Sequence, residues 1–181
     1  MANMNTPRRA HGRMLAAVIL AAVTATLTAT AAFGSPTTLD EARAATARFN
    51  SLNQAIKSGY GLLPEGAPLH ECIMSLNGIG GMGFHYINGG LLDGSVDAST
   101  PEALVYAPDS NGQLRLVALE YVVFQDAWEG AADPVLFGQT FELVPTGNRY
   151  AIPAFFELHA WIWEPNPGDL FDDFNPNVSC N

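Results

Sequence analysis

Cysteine, positive charge and local catalytic signatures are all scarce in this 181-residue chain, and each scarcity excludes something. Only 8 Lys/Arg stand against 18 Asp/Glu, a formal net charge of −10. Binding to nucleic acid or to an anionic membrane surface would therefore work against repulsion, and both are set aside as partners. There is no CxxC, no helix-borne HExxH and no Gly-x-Ser-x-Gly elbow, so the motifs that announce zinc or serine chemistry from sequence alone are missing. The glycines around 78–83 are not followed by Lys or Ser/Thr in P-loop spacing, which leaves them as a loop and bulge signal rather than a phosphate cradle. No internal repeat and no linker divides the chain. What is present is apolar: 48% of residues are hydrophobic and 14% charged, proportions that exclude a disordered acidic tail.

Charge is unevenly placed. Arg8, Arg9 and Arg13 precede the apolar run MLAAVILAAV (14–23), and every Asp and Glu lies at position 40 or later. A basic, then apolar, then small-residue start reads as a secretory signal peptide over 1–34, cleaved near Ala31 to Ser35. The run from Met14 to Phe33 is long enough to span a bilayer, but its second half is Thr and Ala with little transfer energy, which disfavours a permanent anchor. Ala10-His11-Gly12 follow Arg8-Arg9 where a twin-arginine signal wants apolar residues, so ordinary Sec export is the reading. Residues 35–181 then form one secreted domain, too short for two. Cys72 and Cys180, an even pair in an exported chain, read as a disulfide. Closing a loop of about a hundred residues contributes about 4.7 kcal/mol in the chain-entropy account.

Thr38-Leu39-Asp40-Glu41 is a capping box, and Leu39, Ala42, Ala45, Phe49, Leu52 and Ile56 recur at steps of three and four. A helix over 39–58 follows, ended by Lys57-Ser58-Gly59. Beyond Pro64 the period changes to two. Strands are predicted at 82–88, 103–107, 113–124, 137–144 and 154–163, with Asp109-Ser110-Asn111-Gly112 as a tight turn and antiparallel pairing throughout. The last strands are apolar on both faces: Leu158, Ala160 and Ile162 alternate with His159, Trp161 and Trp163. Both faces must be covered, which points to an α+β fold with an N-terminal helix packed on a curved antiparallel sheet or small β-barrel.

Ionisable residues inside apolar strands carry the chemical interest. His85, Glu120 and His159 each sit mid-strand, and Glu157 shares a face with His159. Such groups are costly to bury unless paired, hydrogen-bonded or bound to metal. Two His and one Glu on neighbouring strands make a facial set able to hold zinc, copper or iron with positions left open, and Glu157 is then a candidate catalytic acid/base. The alternative is a buried hydrogen-bond network with no metal, including Tyr86 or Tyr121. Trp161 and Trp163, with Phe155 further back, read as walls of a ligand pocket or as plain core.

Weaker signals complete the survey. Asp93-Gly94-Ser95-Val96-Asp97 has donors at alternate positions but lacks the glycine and the bidentate Glu of a calcium loop, and reads as an Asx-rich turn. Asp169, Asp172 and Asp173 read as a solvated acidic loop rather than a hard-cation site. Asn177-Val178-Ser179 fits a glycosylation acceptor. Taken in order, GMGFHYIN, PEALVYAP, LRLVALEY, LFGQTFE, ELHAWIWEPNPGDLF and NPNVSC resemble a group of small exported bacterial hypothetical proteins without established function. The resemblance covers nearly all of residues 35–181; it implies one domain and carries no activity. The sequence therefore points first to a secreted protein that binds a small molecule or metal ion in a barrel-like core. A metal-dependent enzyme built on His85, Glu120 and His159 is the alternative, and a surface interaction module without a pocket is the third reading.

Overall fold

A computed structural model of the protein describes residue 1 and residues 38–181. Apart from Met1, the signal-peptide reading of 1–34 lies outside the described residues. Helix α1 (Leu39–Thr46) starts at the capping box: Thr38 Oγ1 accepts from the Glu41 amide at 3.2 Å and Glu41 Oε2 accepts from the Thr38 amide at 2.8 Å. The helix predicted to run unbroken to 58 is interrupted. A 3-10 turn (Ala47–Asn50) and an extended Ser51 separate α1 from α2 (Leu52–Lys57). Asn50 and Ser51 are weak helix formers, which fits a break at this point. Ala55 faces the core, and Ile56, predicted on the apolar stripe, is 52% exposed.

The strands are β1 (Ile73–Met74), β2 (Gly81–Ile87), β3 (Ala103–Pro108), β4 (Leu114–Phe124), β5 (Val135–Leu136), β6 (Gln139–Thr140), β7 (Glu142–Val144) and β8 (Phe155–Ala160). Six of them form one curved, open antiparallel sheet in the order β1-β2-β3-β4-β8-β7, a half-barrel with free edges at β1 and β7. The predicted strand over 137–144 is two elements: β5 and β6 pair with each other, and only β7 joins the main sheet. The turn between β5 and β6 places both Phe137 (φ 54°) and Gly138 (φ 77°) in the left-handed region. Phenylalanine is an unusual residue there. Its ring is held by Tyr121, edge-on at 5.6 Å, and by Phe171, stacked at 6.3 Å, contacts that offset the backbone cost.

Each face of the sheet has its own cover. Leu104, Tyr106, Leu119, Tyr121, Phe156, Leu158 and Ala160 pack with Ala42, Phe49 and Ala55 of the helical segment. The Tyr106 hydroxyl donates to the Phe49 carbonyl at 2.6 Å, which ties the 3-10 turn to the sheet. Val105, Ala107 and Ala118 face the other way and are covered by Trp161 and Val178 of the C-terminal tail. Three features hold that tail. Asn175, fully buried, pairs with Gly81 through backbone hydrogen bonds; a Cβ on Gly80 would overlap the Asn175 backbone, so the close approach requires glycine. Cys72 and Cys180 are bridged, with Cα atoms 5.7 Å apart across a sequence separation of 108. At the β3–β4 bulge the carbonyl of Val117 accepts from the amides of both Trp163 and Glu164.

Reducing the disulfide, or changing Cys180 to Ser, should cost about 4 kcal/mol through loop-closure entropy and lower the melting temperature by on the order of 10 °C. Calorimetry with and without reductant measures this. An unchanged melting temperature would mean that Asn175 and Val178 hold the tail alone.

Candidate metal centre

The face turned away from the helices carries the ionisable residues, and strand register determines how they meet. Glu120 of β4 lies directly opposite His159 of β8, and on its other side opposite Ala103 of β3. His85 of β2 is opposite Val105, one diagonal step from Ala103. It therefore stands two strands from Glu120, roughly 9–10 Å at the strand spacing. Its ring reaches across β3, where the small Ala103 leaves room, to bring Nε2 within 3.3 Å of Glu120 Oε2. His159 is edge-to-face with His85 at 5.8 Å between ring centres, and Trp161 stacks on its other side at 6.0 Å. One donor atom from each of His85, Glu120 and His159 lies within 4.8 Å of the others. Donors around a tetrahedral ion at about 2.0–2.2 Å stand roughly 3.4 Å apart, so small side-chain rotations bring the three to ligating distance.

Burial governs the protonation of these groups. Loss of water holds the His85 imidazole down at about 4, and loss of water together with the neighbouring His85 holds His159 at about 3. Both rings are therefore neutral near pH 7. Glu120 is pushed well above the carboxylate range by burial and then by the charge of Glu157. Glu157 is pushed up by burial first, then by Asp173 and Glu142, and it shares a hydrogen bond with Glu120. Burial thus disfavours charge on both partners of the 3.3 Å contact. Among the described residues, neither ring nitrogen of His159 has a hydrogen-bond partner. Nδ1 of His85 lies beside the Gly83 backbone without a hydrogen bond of normal geometry. Three buried unsatisfied imidazole nitrogens at about 1–3 kcal/mol each are a large local cost. An ion coordinated by one nitrogen of each ring would remove part of it.

A cavity of about 170 Å³ opens beside the trio, lined by Leu63, Leu69, Ile73, Ile87, Leu92, Val122, Phe124, Ile152 and Phe155, with His85, Glu102, Glu120 and Tyr150 as its polar groups. Phe155 lines it. Trp161 and Trp163, predicted as pocket walls with Phe155, do not. Strand β8 ends at Ala160, and a tight turn follows in which the Ile162 amide donates to the Ala160 carbonyl. The alternation stops there. Trp161 enters the core under the tail with its indole N–H on the Asp172 carbonyl, whereas Trp163 packs on the helix side beneath Arg43, 4.9 Å from its ring centre.

Sequence reasoning passed over Glu102 and Tyr150. Glu102 looks like a turn residue after Pro101, yet it is 3% exposed and accepts from the Val122 amide at 2.9 Å. Burial, augmented by Asp93 and Asp97, pushes its carboxyl up to about 8. The Tyr150 hydroxyl donates to Met82 Sδ at 3.8 Å. Asp93 and Asp97 accept from the Ser95 and Ser99 amides, and Asp169 from Phe171, Asx-type turns that match the turn reading of both acidic loops. Asn177 is exposed, with its side-chain amide on the Pro165 carbonyl. No helix among the described residues is long and apolar enough to cross a membrane. No protein-family model, curated protein or solved structure matches the chain.

A carboxyl whose folded pKa is raised contributes stability that is complete below its unfolded pKa and is lost as pH rises through the folded one. For Glu102 the loss runs from the ordinary carboxylate range through about 8. Changing Glu102 to Gln keeps an acceptor for the Val122 amide and removes the titration. Between pH 6.5 and 8.5 the variant should lose stability less steeply than the parent, by up to about 1.4 kcal/mol per pH unit. Urea titrations across that range decide it, and parallel curves would contradict the assignment.

Proposed function

We propose that the protein binds a divalent transition metal ion, zinc, copper or iron, through His85, Glu120 and His159. The carrying observation is His159. Its ring is held between Trp161 and His85, and both its nitrogens are unsatisfied in a site where a carboxylate and a second imidazole lie within 4.8 Å. A buried histidine kept for packing alone is normally given a hydrogen-bond partner. Two neutral imidazoles and one carboxyl that can release its proton form the donor set of open-sided zinc or iron sites, in which a further position remains for water or substrate. The cavity beside the trio supports that reading, and the disulfide supports an exported, oxidising location.

A second reading, a metal-dependent enzyme, is favoured by one observation. Glu157 is hydrogen-bonded to Glu120 and carries a raised pKa, so it can hold or receive a proton beside the site. In both readings the same three residues hold the ion, and Glu157 acts on what binds next to it.

Elemental analysis of purified protein, followed by calorimetric titration of the chelator-treated form with Zn²⁺, tests the proposal. One equivalent should bind and raise the melting temperature. His85→Ala and His159→Ala should each reduce affinity by at least a hundredfold. Ala103→Leu, which keeps every donor but obstructs the reach of His85 across β3, should weaken binding at least tenfold. Folded protein that takes up no Zn²⁺, Cu²⁺ or Fe²⁺ would overturn the proposal.

A further inference from the structure

The cavity has a definite size and a definite polarity. At about 170 Å³ it is slightly larger than the engineered apolar cavity of about 150 Å³ known to stay dry and bind benzene, and smaller than the roughly 300 Å³ and above that accommodates drug-sized ligands.

Sheet register sets the polarity. Moving along β4 from Glu120, the next residues on the same face are Val122 and Phe124; moving back along β8 from His159, they are Glu157 and then Phe155. On β2, Ile87 follows His85. The cavity floor therefore runs from His85 and Glu120 to Val122, Phe124 and Phe155, with Leu69 and Ile152 lining it from the loops and Glu102, on the Val122 amide, and Tyr150 as two further polar groups of a wall that is otherwise apolar. Most of that lining is apolar, so water in the space finds few partners and an apolar occupant that displaces it is favoured.

From this geometry we infer that the cavity takes a small molecule with an apolar body the size of a single aromatic ring and one polar group, which is directed at the His85, Glu120 and His159 centre. The orientation rests on the metal reading above; the size and apolar character rest on the cavity alone. Monocyclic phenols have this shape and polarity, with a ring that fits between Val122, Phe124 and Phe155 and one oxygen able to complete the coordination of the ion.

The two parts separate in one experiment. 4-Methylphenol and toluene are titrated calorimetrically into the Zn²⁺-loaded and the chelator-treated protein. Toluene should bind both forms alike, and 4-methylphenol should bind the loaded form at least tenfold more tightly than the chelator-treated one. Val122→Phe, which fills the floor, should abolish binding of both probes while Zn²⁺ uptake persists. Leu69→Phe narrows the cavity from the opposite side and serves if Val122→Phe does not fold. Failure of both probes to bind folded, Zn²⁺-loaded protein overturns this inference and leaves the metal proposal standing. Toluene binding by protein that takes up no Zn²⁺ overturns the metal proposal and the orientation, and retains the apolar pocket.

Discussion

An open sheet that is apolar on both faces must be covered twice, and among the described residues the helices cover only one face. The C-terminal tail supplies the second cover, through Trp161, Val178 and the buried Asn175. Without it Val105, Ala107 and Ala118 would face water, and His159 would lose the indole stacked on its ring. The glycines at 80 and 81, the bulge carbonyl of Val117 and the disulfide all serve to bring irregular chain close enough to a sheet to act as a layer. Irregular chain has no ladder of its own, so its backbone groups must be satisfied one at a time. Asn175 does much of this, with its side chain on the Glu164 and Pro165 carbonyls and its backbone on Gly81.

Much of this arrangement is legible in the sequence where a residue pattern has one physical meaning. The capping box at Thr38, the long alternating run of β4 and the apolar character of both faces of β8 each admit few structures. Patterns with two meanings mislead. Periodicity alone carries the helix past Ser51, because a stripe of apolar residues does not register a single extended residue between two helical segments. The strand predicted over 137–144 hides a hairpin, since a Phe-Gly pair is not the usual sign of a left-handed turn. The tryptophans at 161 and 163 share a face only while the strand lasts, and the strand ends at Ala160.

At the site, residue types were readable and their meeting was not. His85, Glu120 and His159 stand out because charge-bearing side chains interrupt apolar strands, a signal that needs no structure. Their convergence depends on register across β3 and on the size of Ala103, neither of which appears in the spacing of the three residues along the chain. Glu102 gave no signal, because a glutamate next to a proline resembles any surface turn. Its burial results from the position of the Val122 amide on another strand.

The order of strands also bears on how the centre comes into being. β2, β3 and β4 follow one another in a meander, whereas β8 reaches β4 only after the intervening hairpin and β7. Loop-closure entropy makes the adjacent pairings the earlier ones. His85 and Glu120 are thus expected to be in place while the strand carrying His159 is still searching for its register, and a one-residue slip of β8 would turn His159 to the helix side and present Leu158 or Ala160 instead. A molecule with β8 misaligned would bring His85 and Glu120 together without His159, and under the metal proposal ion binding would selectively stabilise the correctly paired sheet.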